Sequence, residues 1–295
     1  MTFLKGGNFL KVRSNKGLFL AILGTVFFST SPVLTRMVHK IPSQEIAFFR
    51  MLLGSLFIFT ASRISGVDLT LQKRDIVKFG FYGIITALHF LFYIESVMYT
   101  TIAHSLSLVY TAPIMITLLS GIILKEKIPR KKYLGILVVI LGVVILAGFE
   151  PVLTKKMILG DVFALLSAFC LALYSIAGRR ERDAYPLLKY VFWVYFLSAL
   201  FLFLLSLRNF VMPSALSQWI PLVLLGLLPT TLGHTLYNAG LRYIHPTYAN
   251  LISTQEVTGG IILGILLLGE VPSLNSIIGI LVMFAGLYWV LSDVG

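Results

Sequence analysis

The chain has 295 residues, 58% of them hydrophobic and only 12% charged, with a formal net charge of +12 and a mean hydropathy of +0.92. Soluble domains run at roughly 45–50% apolar and about 25% charged, so composition excludes a water-soluble protein. The basic residues are scattered in short connections between apolar runs, which argues against a nucleic-acid face and for orientation in a bilayer. The single cysteine, Cys170, excludes an intrachain disulfide framework and offers no metal-ligand spacing.

Residues 1–16 form a basic tail with Lys5, Lys11, Arg13 and Lys16 and no small-residue cleavage site, so the apolar run after it is predicted as a first membrane helix. A membrane helix needs about 20 mostly apolar residues. Such runs fall at 17–38, 44–62, 76–97, 101–123, 132–149, 158–178, 187–207, 217–239, 246–268 and 273–291, which predicts ten spans. All are expected to be helical, because unpaired backbone is costly in lipid and the alternation of a barrel is absent. Counted by connection, eighteen Lys and Arg lie on the side of the N-terminus and five on the other. Both termini are therefore expected in the cytoplasm.

Laid over one another, KEKIPRKKYLGILVVILGVVIL (125–146) and GEVPSLNSIIGILVMFAGLYWVL (269–291) match Glu126 with Glu270, Gly135 with Gly279 and Gly142 with Gly286, at an offset of 144. Tyr93 meets Tyr237 and Tyr99 meets Tyr243 at the same offset, and Gly17 meets Gly160 and Arg36 meets Arg179 at 143. Several matches at one offset indicate a duplication, with one copy over 17–149 and the other over 158–291. Five spans per copy is odd, so the second copy enters the bilayer upside down. Inverted repeats are characteristic of secondary transporters, whose halves rock around a site near the midplane.

Several stretches resemble the EamA-like family of the drug/metabolite transporter superfamily, ten-helix carriers of the inner membrane. They are EIAFFRMLLG (45–54), FLFYIESVMYTTIAHSLSLVYTAPIMITLLSGIILKEKIP (90–129) and YNAGLRYIHPTYANLISTQEVTGGIILGILLLGEVP (237–272). The family commonly places Glu-Pro in the middle of the helix that this last module contains. Here the first copy has Ala112-Pro113 and the second Glu256-Val257, so each keeps half. The resemblance implies movement of small metabolites, amino acids among them, without ATP; it does not name the cargo.

An ionisable group at bilayer depth costs about 2.5–3.5 kcal/mol on insertion scales, so it faces a partner or a wet cavity. Residues three or four apart share a helix face. His89, Tyr93 and Ser96 form one such stripe, and Thr231, His234 and Asn238 another. Further stripes are His104, Ser107 and Thr111 with Tyr110 beside them; Asn250, Thr254 and Thr258; Thr25, Ser29, Pro32 and Arg36; and Ser167, Cys170 and Tyr174. For the Ser and Thr positions, packing between helices at about 0.6 kcal/mol each explains the pattern as well as a cavity does. His89 and His234 favour a cavity over a satisfied core donor. Glu256 has no cation within a turn and is the expected proton carrier or amine ligand. The expected solute site is His89, Tyr93, Tyr110, Tyr174, His234, Asn238 and Glu256. Arg50 is expected as a structural ion pair with Glu95, Glu45 and Glu256 being competing partners.

Glu126 and Glu270 are expected at turns, and the paired glycines of the fifth and tenth spans at close helix contacts. Gly160-Asp161 reads as a helix start, where Asp favours the dipole. Pro32, Pro113 and Pro229 free backbone carbonyls inside spans. No His-Glu-x-x-His, Walker A or Gly-x-Gly-Asp motif occurs, so neither an enzyme nor an ATP-driven pump is expected. No cofactor or metal is expected either. The expectation is an all-α integral membrane protein that moves small solutes by alternating access, with a channel-like facilitator or an intramembrane enzyme without a recognisable motif as alternatives. Its partners are a small-molecule substrate and the lipid bilayer, with proton coupling through Glu256.

Overall fold

The computed structural model describes residues 15–126, 128–147, 154–268 and 274–292. Helix is the only regular structure among the described residues. In order these are α1 (Asn15–Phe28), α2 (Ser31–Met37), α3 (Ser43–Ile64), α4 (Ile76–Tyr99), α5 (Ile102–Val109), α6 (Ala112–Leu119) and α7 (Tyr133–Ala147). There follow α8 (Lys155–Arg180), α9 (Leu187–Ser206), α10 (Leu216–Leu225), α11 (Thr235–Leu241), α12 (Pro246–Ser253), α13 (Glu256–Leu263) and α14 (Leu274–Ser292).

Several of these are two halves of one rod. α1 runs into α2, α5 into α6 and α12 into α13, while a widened π-helical stretch, Gly226–His234, joins α10 to α11. Eight rods are long and apolar enough to cross a membrane: Asn15–Met37, Ser43–Ile64, Lys73–Tyr99, His104–Leu124, Lys155–Arg180, Leu187–Asn209, Leu216–Leu241 and Pro246–Leu267. α7, with 15 residues, and α14, whose apolar stretch is Ile277–Leu291, are shorter within the described residues. They occupy the expected runs 132–149 and 273–291. Most of the basic tail 1–16, with Glu270 and Pro272, lies outside the described residues.

The duplication is visible in helix boundaries. Ile102–Val109 and Pro246–Ser253, Ala112–Leu119 and Glu256–Leu263, and the π-helical turns Ser120–Leu124 and Gly264–Leu268 lie 144 positions apart end for end. Packing partners are exchanged in the same sense: α4 lies along α8, and the Gly226–Leu241 stretch lies along α1. α3 packs on its own counterpart α9, while α6 packs on α12 and α5 on α13, again an exchanged pair.

The outside of the bundle is apolar: Phe19, Ile22 and Val26 on α1 and Leu134, Leu137 and Leu141 on α7 are exposed. In water such a belt would be an association surface; in a bilayer it faces the acyl chains. The inside is the more polar side, with Arg50, Glu45, His89, His234, Asn238, Asn250 and Glu256 all buried.

α7 and α14 cross on the four glycines that the sequence pairs. A Cβ on Gly142 would come within 2.6 Å of the Met283 nitrogen, and one on Gly286 within 2.6 Å of the Val139 nitrogen. Backbone cannot yield as a flexible side chain can, and membrane helices gain their association from this close approach. Gly286→Leu is therefore expected to cost about 1–3 kcal/mol, read as a lower melting temperature in detergent. Gly121→Ala, whose added Cβ meets nothing within 4 Å, is expected not to lower it.

Candidate functional site

Four breaks in the helical rods converge on one cavity. Thr30 separates α1 from α2, Tyr110 and Thr111 separate α5 from α6, Thr254 and Gln255 separate α12 from α13, and the Gly226–His234 stretch carries Pro229. At each break a threonine hydroxyl donates to a backbone carbonyl three or five residues before it. Thr30 Oγ1 donates to Phe27 O at 2.7 Å, Thr111 Oγ1 to Leu108 O at 2.7 Å and Thr254 Oγ1 to Leu251 O at 2.7 Å. In the wide stretch Thr230 Oγ1 donates to Leu225 O at 2.8 Å and Thr231 Oγ1 to Gly226 O at 2.7 Å. Side-chain hydroxyls are what allow proline-broken helices in lipid. Three of the breaks carry an expected proline; the one at Thr254–Gln255 does not.

The cavity holds about 420 Å³ of empty space, of which about 30 Å³ admits the centre of a water molecule. That is room for a few waters. His89, Tyr93, Tyr110, His234 and Glu256 all line it, so the structure brings five of the seven expected site residues together. Tyr93 OH donates to Glu256 Oε1 at 3.0 Å, and Tyr110 OH donates to Oε2. The carboxyl is therefore gripped on both oxygens by phenols from α4 and from the α5–α6 break. His89 meets the Ser167 hydroxyl through Nδ1 at 3.0 Å. His234 is wedged between Phe28 and Phe90, with ring centroids 4.4 and 4.8 Å away.

Tyr174 and Asn238 do not line the cavity. Asn238 Nδ2 donates to the Tyr174 hydroxyl and to His234 O at 2.8 Å, and the Tyr174 ring meets the His234 ring edge-on at 5.7 Å. They stand behind His234 and hold it. Serine and threonine stripes mostly return to their own helices, as Thr25 Oγ1 does to Ala21 O at 2.8 Å. His104 and Asp161 are also elsewhere: they face each other at 2.9 Å, Asp161 in the second turn of α8.

Arg50 corrects the sequence expectation. It forms no pair with Glu95, whose neighbours are Ser43 and Tyr99, nor with Glu45, which accepts from Val211 N at 3.2 Å. Arg50 lines the cavity instead. Its Nε donates to Thr230 Oγ1 at 2.8 Å, its Nη1 to Ser31 Oγ at 2.9 Å, and its guanidinium carbon lies 4.4 Å from the centre of the Phe90 ring. Ser31 and Thr230 come from α2 and the wide stretch, far from Arg50 in sequence, which is why spacing along one helix missed them. The signal available was negative: Ile46 and Gly54, one turn either side of Arg50, carry no charge.

One end of the bundle, where the Lys- and Arg-rich connections lie, is tied by charge. Glu126 accepts from Arg179 Nε at 3.1 Å and from Arg182 Nη1 at 3.3 Å, and Arg179 Nη1 donates to Leu241 O at 2.8 Å. Glu181 accepts from Tyr82 OH at 2.7 Å and Lys78 Nζ at 3.2 Å, and Arg242 Nη2 donates to Tyr185 O at 2.6 Å. These contacts draw the ends of α4, α8 and α11 together. At the other end Arg36 Nη2 donates to Thr100 O at 2.9 Å.

His245 precedes α12 at the tied end, and its Nδ1 accepts from Thr247 N at 3.2 Å. Burial pushes its pKa down to about 4, against the opposing pull of Glu126. The folded protein holds the ring neutral where the unfolded chain protonates it, so stability falls as pH drops from about 6.5 towards about 4, by roughly 3 kcal/mol at most. Asparagine can cap the helix without titrating. His245→Asn is therefore expected to flatten the pH dependence of the melting temperature over that window.

A bundle of apolar rods, broken around a chamber lined by ionisable side chains, has the make of a membrane transporter. The chain belongs to the EamA-like transporter family, whose sequence model matches it twice, over residues 15–148 and 158–292. Among its relatives is the pseudopaline exporter CntI of Pseudomonas aeruginosa, 29% identical over 211 residues, 71% of this chain and 73% of that protein. The uncharacterized transporter YdfC of Bacillus subtilis is 29% identical over 248 residues, covering 82% of this chain and 80% of the other. The uncharacterized transporter YxxF of the same organism is 25% identical over 256 residues, covering 84% and 81%. A solved crystal structure shares the fold, with a TM-score of 0.79 at 20% identity over 95% of this chain and 98% of that one. The protein is a multi-pass membrane transporter of small molecules; its family and its relatives are transporters, not enzymes.

Proposed function

We propose that the protein is a secondary carrier of the cytoplasmic membrane, with ten spans arranged as two inverted five-helix repeats over 17–149 and 158–291 and both termini in the cytoplasm. The solute occupies the chamber walled by His89, Tyr93, Tyr110, His234 and Glu256, with Tyr174 and Asn238 behind, while the repeats alternate access around it. The chamber of ionisable side chains at four converging helix breaks carries this reading: broken helices around a site at the interface of two repeats are what a carrier uses. The exchanged packing partners and the 144-residue recurrence of helix ends support the two repeats. The excess of eighteen basic residues over five supports the orientation, which puts the latched end of the bundle on the cytoplasmic side. The solute class is a small amphipathic metabolite, amino acids included. The naming of one relative as an exporter favours outward movement.

Glu256 carries the coupling proton in this mechanism for a solute that brings no positive charge of its own. It is the carboxyl of the chamber, and its two phenol partners can pass hydrogen bonds to it without charge of their own. The test begins with a thermal-shift screen of a metabolite library on purified protein, followed by liposome flux of each hit. His234→Ala is expected to abolish the flux; unchanged flux would remove the site from the chamber. Glu256→Gln is expected to abolish uptake driven by a pH gradient, while counterflow exchange, which needs no net proton movement, survives. Equal loss of both would assign Glu256 to binding or folding instead.

A further inference from the structure

We propose that the chamber recognises its solute through a carboxylate seated on Arg50, and that a solute bearing no positive charge of its own brings a proton onto Glu256. The inference rests on the chamber being the transport site and names the chemistry it selects.

Arg50 is 1% exposed. Its hydrogen bonds go to two neutral hydroxyls, those of Thr230 and Ser31, and its flat face rests on Phe90. Among the described residues no carboxylate lies within 4.0 Å of it. A guanidinium has five N–H donors in a planar fork that fits a carboxylate bidentately, and two of its nitrogens are engaged here. The serine and threonine therefore aim the fork and leave donors for a further acceptor. The same cavity presents His234 Nδ1, buried and without a hydrogen-bond partner, with the Asn250 side chain beside Tyr237. A buried polar group left unmatched is costly, so His234 Nδ1 beside a guanidinium with donors to spare describes a place for a polar ligand.

The charge count decides what kind. Arg50 supplies one positive charge and Glu256, when ionised, one negative charge, so the empty chamber is neutral. A carboxylate on Arg50 adds a negative charge that hydrocarbon does not screen. Glu256 removes it by taking a proton. The two poles are in communication: Ser31 accepts from Arg50 and also interacts with Tyr93, whose hydroxyl donates to Glu256. The titratable and charged groups facing Glu256 are Tyr93 and His89 from α4, Tyr110 from the α5–α6 break, Arg50 from α3, and His234 and Tyr237 from the second copy. None of these is a second carboxyl, so the proton has one acceptor of negative charge. A zwitterion brings its own positive charge and binds without the proton.

The test uses purified full-length protein in detergent and three probes of one shape: 4-methylpentanoate, L-leucine and L-leucinamide. Calorimetry and thermal shift are expected to show binding of the two carboxylates and none of the amide. The affinity for 4-methylpentanoate is expected to fall as pH rises, by up to about tenfold per pH unit, while that for L-leucine stays flat. Arg50→Lys, which keeps the charge and loses the fork, is expected to weaken both carboxylates. Glu256→Gln is expected to remove the pH dependence for 4-methylpentanoate. Binding of L-leucinamide equal to that of L-leucine, no binding by either carboxylate, or an affinity indifferent to pH would overturn the proposal. If an amine or a neutral solute binds and its flux depends on His234, the chamber stands and only the carboxylate recognition falls. If no flux depends on His234, the chamber itself falls.

Discussion

A guanidinium cannot stand uncompensated in hydrocarbon, and the interior of this protein is built around that constraint. Arg50 is buried at the eighth position of a 22-residue apolar helix. Its compensation is assembled from four directions: a serine from α2, a threonine from the wide stretch before α11, an aromatic face from α4 and, across the chamber, the carboxyl of Glu256. Coulomb attraction at that range is weak in water and strong where water is scarce. Keeping the chamber small, with room for only a few waters, strengthens the same attraction that makes the charge tolerable, so its size and charges form one design.

The breaks in the helices follow from the same need. A continuous helix presents side chains every turn but never its backbone, and it leaves no room at the centre of a packed bundle. Interrupting four rods at one place widens the interior. Threonine hydroxyls donate to backbone carbonyls at the breaks, from Thr30, Thr111, Thr230, Thr231 and Thr254. The α7–α14 pair is the opposite case: unbroken, rich in glycine and packed backbone to backbone, it lines no part of the chamber. One seam of the molecule is made to hold and the centre is made to open.

How much of this was legible in the sequence depended on whether a feature is local. Helix positions are, since they follow from runs of apolar residues, and the duplication is, since its 144-residue offset survives as helix ends. His89, Tyr93, Tyr110, His234 and Glu256 stood out because polar groups at helical spacing in lipid have few uses. Tyr174 and Asn238 carry the same signal and sit one layer behind, because periodicity gives the face of a helix and not its depth. For Arg50 the sequence points to a carboxylate among Glu95, Glu45 and Glu256, whereas its hydrogen-bond partners are hydroxyls 19 and 180 positions away. The break at Thr254–Gln255 has no proline to announce it; it is inherited from the architecture of the first copy, where Pro113 is present.

The two copies share a scaffold and divide the chemistry. At the repeat offset, Arg50 corresponds to Val194, Glu256 to Ala112, His89 to Gly233 and His234 to Phe90, while Tyr93 and Tyr237 correspond to each other. Backbone plan and one tyrosine are duplicated, and each charge is not. The positive pole belongs to the first copy and the negative pole to the second, with Tyr93 of the first reaching over to Glu256 of the second. In the proposed mechanism, motion of one copy against the other changes the distance between the poles and strains the hydrogen bonds that link them. A bound carboxylate or a proton alters the attraction across that same gap. In a chamber made from identical charges in both copies, rocking would leave the field symmetric and ligand binding would have no preferred state to stabilise. Under the proposed mechanism, the asymmetry in sequence is what lets occupancy of the chamber bias the position of the halves.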